Sequence, residues 1–172
     1  DRERAEILMR SGAERLQATP AGRWMRQWDW ASRWAIVVLQ PGELPLDPHL
    51  PAVLRALADF DDHAPAEPRL RAWRAVSEQW PGEPLAWMGA GNAQYELGSI
   101  ESAATDFEHA LELDPGSWPV RLNLAQVLLE LDRSCRGHGV IEAEPMPFDH
   151  PMVEAHGNLA LRLASACARH PG

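Results

Sequence analysis

The sequence predicts a mainly α-helical protein, a short α-solenoid of two to three helix pairs that follows a small segment of β-hairpin, helix and strand. Three observations favour this fold class. Pro-Gly pairs recur at Pro81 and Pro115, and each pair follows one helix-like stretch and precedes another. We call the spacing in sequence from Pro81 to Pro115 the repeat interval. Between them, apolar and small residues recur at helical spacing on both sides of a break at Gly98. Residues 1–40 lack this pattern and read as short strands.

The clearest helix pair spans residues 84–117. Gly98 ends its first helix, and Ser99 is suited to cap the second. The second helix carries an apolar stripe centred on Phe107 and ends at Asp114-Pro115-Gly116. Two antiparallel helices joined by so short a turn form an αα-hairpin.

A shift by one repeat interval finds neighbouring helices on both sides of this pair. Residues 119–131 repeat the pattern of its first helix. Upstream, residues 50–60 and 69–80 form a degenerate pair, in which Leu57 stands where a glycine is expected. The body of the chain, about residues 48–172, is therefore predicted to be one helical domain.

The segment 84–117 resembles a tetratricopeptide repeat over its full length. The resemblance rests on an early aromatic, the small residues where the two helices meet, a second aromatic and a closing proline: Trp87, Ala90, Gly91, Ala103, Phe107, Ala110 and Pro115. Small residues at those places let two helices approach closely, and the aromatic side chains fill the space around them.

The third repeat is predicted to carry an insertion at about residues 132–151, because glycines and prolines crowd this stretch. A helix then resumes at Met152 and runs to Arg169, and this helix is assigned as the second helix of the repeat. A loop of that length in a compact domain is typically functional or mobile.

The beginning of the chain, residues 1–45, is predicted to be a strand-helix-strand remnant of an α/β domain. Residues 6–10 and 14–18 favour a hairpin, Thr19-Pro20 favours the start of a helix, and residues 34–39 read as a strand buried on both faces. Such a strand needs neighbours that the rest of the sequence does not offer. Together with the absence of an initial Met, this suggests that the chain is a processed product or a fragment.

Residues 1–45 also resemble the C-terminal edge of a bacterial papain-like cysteine peptidase domain of the double-glycine-leader type. The resemblance rests on the stretches LMRSG and RWAIVVLQPGELP followed by tetratricopeptide repeats. It implies that the nucleophilic Cys, the oxyanion-hole Gln and the catalytic His lie upstream. The family's usual Asp would fall near Arg10-Ser11, and neither of these is a carboxylate. No catalytic residue is therefore assigned.

Metal or thiol chemistry is disfavoured in the rest of the chain. Cys135 and His138 have C-x-x-H spacing, and His150, His156 and Cys167 follow irregularly. A zinc site needs four convergent ligands, and a catalytic thiol needs a base and an oxyanion hole. We interpret Cys135 as a free thiol in a loop and Cys167 as a small buried helix residue. No cofactor, no metal and no catalytic residue is predicted.

Charge and hydropathy limit the partners. The net charge is −9, which disfavours nucleic acid and anionic membranes as main partners. No apolar stretch approaches the roughly 20 residues of a membrane span. The compartment stays open: the bacterial envelope or periplasm if the peptidase resemblance holds, and the cytoplasm otherwise. The oligomeric state is not predicted.

Tetratricopeptide arrays present a groove built from the first helix of each repeat, and the resemblance implies that a partner peptide lies there. The positions that would line this groove are Leu85, Met88, Asn92, Tyr95, Glu96, Leu122, Gln126, Leu129 and Glu130. The predicted groove is apolar, with amide side chains and an acidic end. It lacks the Lys/Arg clamp with which chaperone-binding members hold a C-terminal carboxylate, so a neutral or basic segment fits better.

Three hypotheses for function remain open from the sequence. The chain is a protein-interaction module that binds a peptide or partner protein and has no chemistry of its own. Alternatively, and compatibly, it is the non-catalytic C-terminal part of a papain-like cysteine peptidase. The third hypothesis is an independent enzyme or metal protein that uses the 132–151 segment.

Overall fold

The computed structural model describes residues 6–11, 14–20 and 39–169. The chain divides into two compact units, Asp1–Val38 and Leu39–Gly172. Among the described residues, the first unit contains a β-hairpin and the second contains seven helices, and each unit is described by itself.

The hairpin consists of β1 (Glu6–Ser11) and β2 (Glu14–Pro20), which pair antiparallel with Met9 opposite Gln17. The predicted hairpin is therefore present. The predicted helix start at Thr19-Pro20 is wrong, because both residues belong to β2. A proline is tolerated at the end of a strand where no ladder hydrogen bond needs its missing N–H. The predicted helix around residues 24–28 and most of the predicted strand at 34–39 lie outside the described residues.

The second unit is a short α-solenoid in which successive helices pack on one another. Its described part contains seven helices: α1 (Leu50–Asp61), α2 (Ala66–Gln79), α3 (Pro84–Glu96), α4 (Ile100–Leu113), α5 (Trp118–Glu130), α6 (Ser134–Glu142) and α7 (Val153–Arg169). α1 with α2, α3 with α4, and α5 with α6 make three helix pairs, and α7 packs on α6 and α5. The predicted fold class is confirmed.

The turns inside the second and third pairs share one backbone feature, a residue with positive φ. Between α3 and α4, Gly98 has a φ of +75°, which glycine adopts without steric cost. At the equivalent place between α5 and α6, one repeat interval later, Asp132 has a φ of +57°. Aspartate is among the few other residues that visit this left-handed region routinely. The two turns are therefore equivalent, although only the first has the residue that sequence analysis recognises.

Close approach between helices explains the small residues of α3. A Cβ added to Gly91 would lie 2.7 Å from Phe107 Cε1, and one added to Gly89 would lie 2.6 Å from Trp73 Nε1. α3 is therefore held between α2 on one side and α4 on the other. The main core follows along α4 and α5 and includes Ala103, Ala104, Phe107, Ala110, Val120, Leu124, Val127 and Leu128.

The segment 132–151 is not the helix-free insertion that the sequence predicts. α6 begins at Ser134, which lies one repeat interval after Ile100, the first residue of α4. It supplies the second helix of the third pair, so α7 is an additional helix. Residues 143–152 are what remains of the predicted loop.

The two cysteines form a disulfide, which corrects the interpretation of Cys135 as a free thiol in a loop. Cys135 lies in α6, Cys167 lies near the end of α7, and their Cα atoms are 4.6 Å apart. Sequence analysis missed the bond because it placed Cys135 outside any helix. The two residues face each other only once α6 and α7 are packed together.

Candidate interaction groove

A pocket of about 200 Å³ opens between α3 and α5, and we call it the α3–α5 pocket. Its lining residues are Arg69, Asn92, Tyr95, Glu96, Phe107, Asn123, Gln126 and Val127. Four of the predicted groove residues are among them: Asn92, Tyr95, Glu96 and Gln126. The first helices of two successive pairs thus bring together side chains that are separated by about one repeat interval in the sequence.

Two asparagines join the helices across the pocket. Asn123 Nδ2 donates to Asn92 Oδ1 at 2.9 Å. Within residues 39–169, the amide nitrogen of Asn92 and the amide oxygen of Asn123 form no hydrogen bond. One donor and one acceptor are therefore left at the pocket, which is the pattern that a peptide group also carries.

A chain of hydrogen bonds crosses the rim at the C-terminal ends of α3 and α5. Tyr95 Oη donates to Glu130 Oε1 at 2.6 Å, and Gln126 Nε2 donates to the same oxygen at 2.7 Å. Arg162 of α7 donates to Gln126 Oε1 at 3.3 Å. The hydrogen bond to the Glu130 carboxylate raises the pKa of Tyr95, with partial desolvation and the charge of Glu130 acting in the same direction.

Arg69 is a buried cation that the sequence analysis missed. It is 8% exposed and lies in α2, one repeat interval before the small Ala103 of α4. One of its nitrogens binds Glu96, Asp61 lies 3.8 Å away, and its Nε has no hydrogen-bond partner among the described residues. An arginine in place of a small residue looks like degeneracy in a sequence, but here it places a guanidinium beside the pocket.

The other five predicted groove residues lie outside the lining of the α3–α5 pocket. Leu85 is 46% exposed near the start of α3, and Glu130 is exposed at the end of α5. Met88 and Leu129 are half-buried and pack against core residues. Leu122 is 7% exposed and packs with residues of α6 and α7, so it lies in the core. The prediction of an apolar groove surface at Leu122 is therefore wrong, because α7 covers that part of α5.

The pocket lining is more polar than the sequence predicts. Amide side chains, one phenol and an arginine–glutamate pair surround the apolar floor of Phe107 and Val127. Among the described residues, no three His, Cys, Asp or Glu side chains are placed to hold a metal ion. In the same part of the chain, no helix is long and apolar enough to cross a membrane.

Comparison with known proteins agrees with this architecture. Residues 70–117 match the family model described as tetratricopeptide repeat. Among solved structures, the TPR2B domain of yeast Sti1 in its pHsp70 complex is similar, with a TM-score of 0.60 and 12% sequence identity. The similarity covers 67% of this chain and 95% of that one. No curated protein matches the sequence. The helical unit therefore has a tetratricopeptide-like fold.

Proposed function

We propose that the chain is a protein-interaction module that binds an extended peptide segment of a partner protein in the groove between α3 and α5. The observation that carries the proposal is the α3–α5 pocket, where side chains from two successive first helices converge on one opening. The similar TPR2B domain of Sti1 is in a complex with pHsp70, which supports a partner-binding use of this fold.

The unpaired amide groups of Asn92 and Asn123 favour a peptide backbone as the ligand. A peptide carbonyl would accept from Asn92, and a peptide N–H would donate to Asn123. These hydrogen bonds require no particular side chain on the peptide, so they position its backbone. The peptide side chain that contacts the pocket floor then determines specificity. Both contacts would lie inside the pocket, where partial exclusion of water makes each worth more than at an open surface.

The charges at the groove favour a neutral or basic segment. The charge of Arg69 is compensated by Glu96 and Asp61, whereas Glu130 is exposed at the rim. The net charge of −9 also attracts cationic segments during encounter. We expect binding to weaken as salt concentration rises.

Selection from a library of displayed random peptides tests the proposal. Peptides enriched on the wild-type chain should bind an Asn92→Ala, Asn123→Ala variant at least about tenfold more weakly, since each lost buried hydrogen bond costs roughly 1 kcal/mol. The matched control is Glu112→Ala, an exposed position on α4. It should leave affinity unchanged.

Circular dichroism spectra and unfolding midpoints of all three proteins show whether the pocket variant is folded. Peptides that bind the folded pocket variant and the wild type equally would exclude the α3–α5 pocket as the binding site.

The link to a papain-like cysteine peptidase stays a prediction. It rests on residues 1–45, while the matched family model begins at residue 70. A reading frame upstream of Asp1 that encodes a Cys followed by a His would support it. A start codon immediately before Asp1 would refute it.

A further inference from the structure

The last described helix, α7, is attached to α5 and α6 by apolar packing and by the contact of His156 with Trp118. α7 has 17 residues, and its buried ones are Leu159 and Leu163. These pack with Leu122 and Ala125 of α5 and with Ile141 of α6. Because most of the stability of a protein helix comes from tertiary packing, α7 depends on these contacts to stay folded.

The disulfide is the covalent attachment of α7. Cys167 follows Leu163 by one helical turn, so both lie on the face that α7 turns towards α6. The bond joins it to Cys135, which is 32 residues away in sequence and lies on the exposed side of α6. Cys135 is the more exposed of the two cysteines, so we assign the attack of a thiol reagent to it.

The position of α7 also affects the groove. Arg162 of α7 binds Gln126, which lines the α3–α5 pocket, and Leu159 of α7 covers Leu122 of α5. Displacing α7 would free Gln126 from one partner and expose an apolar strip on α5 and α6. The state of the disulfide is thereby connected to the groove through one helix.

We propose that the Cys135–Cys167 disulfide is a redox latch for α7. In the oxidised chain the bond holds α7 against α5 and α6. In the reduced chain α7 detaches locally while α2 to α5 stay folded, and the apolar strip at Leu122 and Ile141 becomes accessible. The latch stands without the proposed function, and only its effect on peptide binding rests on that proposal.

The reaction is a two-electron thiol–disulfide exchange with a dithiol reductant. One thiolate of the reductant attacks Cys135 Sγ, the sulfur–sulfur bond breaks, and Cys167 leaves as a thiolate that takes up a proton. The second thiol of the reductant then attacks the mixed disulfide and releases Cys135. The products are two cysteine thiols and one oxidised dithiol.

The effect of the bond on α7 is large in the chain-entropy model. A cross-link that closes a loop of about 30 residues lowers the conformational entropy of the state in which α7 is detached. It thereby lowers the equilibrium constant for detachment by roughly two to three orders of magnitude. Amides of α7 should therefore exchange with solvent much faster in the reduced chain, because exchange of protected amides follows local opening.

Hydrogen exchange of the full chain, oxidised and after treatment with dithiothreitol, tests the latch. We expect exchange of residues 153–169 to accelerate by at least about 100-fold on reduction. The α4 segment, which packs mainly on α3 and α5, should change by less than about threefold. A Cys135→Ser, Cys167→Ser variant should exchange like the reduced wild type and should not respond to dithiothreitol.

Three results would overturn the latch. The first is unchanged exchange of α7 after the bond has been shown to be reduced. The second is equal acceleration in α4 and α7, which would make the disulfide a staple of the whole fold. The third is a bond that dithiothreitol does not reduce under native conditions. None of these results bears on peptide binding by the oxidised chain, so the two proposals fail separately.

Discussion

Two glycines of α3 pack against different neighbouring helices, so the effect of an added side chain on stability can be predicted at each. Gly89 faces the indole of Trp73, and Gly91 faces the ring of Phe107. Trp73 is buried, and its Nε1 donates to Asp61 at 2.8 Å, so packing and this hydrogen bond fix the position of the indole. An added methyl group at position 89 therefore has no room unless α2 and α3 move apart.

We predict that Gly89→Ala lowers the free energy of unfolding by about 2 kcal/mol, as overpacking of a core does. The matched control is Gly139→Ala in α6, where an added Cβ meets no atom within 4 Å. The control should be neutral or stabilising by up to about 1 kcal/mol, because alanine is the better helix former. Urea unfolding of the wild type and the two variants measures the change in the free energy of unfolding. An equal effect at the two positions would contradict the packing described for α3.

Tyr95 offers a direct electrostatic measurement, since it is the single tyrosine of the chain. Its hydrogen bond to Glu130 raises its pKa, so the neutral phenol is favoured in the folded state. The associated stability is present below the ordinary pKa of tyrosine and is lost as the pH rises through the raised pKa.

We predict that Glu130→Gln lowers the pKa of Tyr95 towards its ordinary value. Ultraviolet absorbance of the tyrosinate follows the titration without interference from another tyrosine. Glu112→Gln, on α4 and away from the phenol, is the control. A pKa of Tyr95 that is the same in all three proteins would contradict the contact between α3 and α5.

At the scale of the helices, two ion pairs of similar geometry differ in burial. Arg74 of α2 donates two hydrogen bonds to Asp106 of α4, at 2.8 and 2.7 Å. Arg133, just before α6, donates two hydrogen bonds to Glu101 of α4, both at 3.0 Å. The Asp106 side chain is 4% exposed, whereas that of Glu101 is 65% exposed.

Burial decides the effect of removing each arginine. We predict that Arg74→Met costs about 3 kcal/mol, because it leaves the Asp106 charge buried with Gln94 as its remaining partner. Arg133→Met should cost less than about 1 kcal/mol, since water takes the place of the exposed pair. Chemical denaturation of both variants measures the difference, and comparable costs would contradict the buried role of Asp106.

α6 is a helix in a segment that the sequence analysis predicts to be a loop. Gly137 and Gly139 have the character of helix breakers in the sequence, yet Gly137 is closely packed, because an added Cβ would lie 2.7 Å from Leu163 Cδ2 and 3.2 Å from the carbonyl oxygen of Ala125. The turn before α6 uses Asp132, which lacks the signal that Gly98 gives one repeat earlier. Local propensity thus predicts a loop where tertiary contacts stabilise a helix.

For the whole molecule, the repeat periodicity predicts the number, order and approximate bounds of the first five helices. Periodicity reports which faces are apolar, and this pattern survives in α1 to α5. It does not report what lies beyond the last repeat. The core position of Leu122 depends on α7, and the cysteine pair depends on the packing of α6 against α7.

The candidate site is predictable in part for the same reason. Asn92, Tyr95, Glu96 and Gln126 follow from their positions on the first helices, and the structure brings them together. Arg69 and Asn123 could not be found in this way. Arg69 reaches the pocket from a second helix, and Asn123 is identified only by its hydrogen bond to Asn92.

The most direct test of the proposed groove is a map of amide chemical shifts while the chain is titrated with a peptide selected on it. We predict that the largest changes fall on α3 and α5, with the side-chain amides of Asn92, Asn123 and Gln126 among them. Helix α6, whose residues lie outside the pocket lining, should respond weakly. Changes centred on α4 and α6, with the three side-chain amides unmoved, would contradict the proposed groove and place the interaction surface elsewhere.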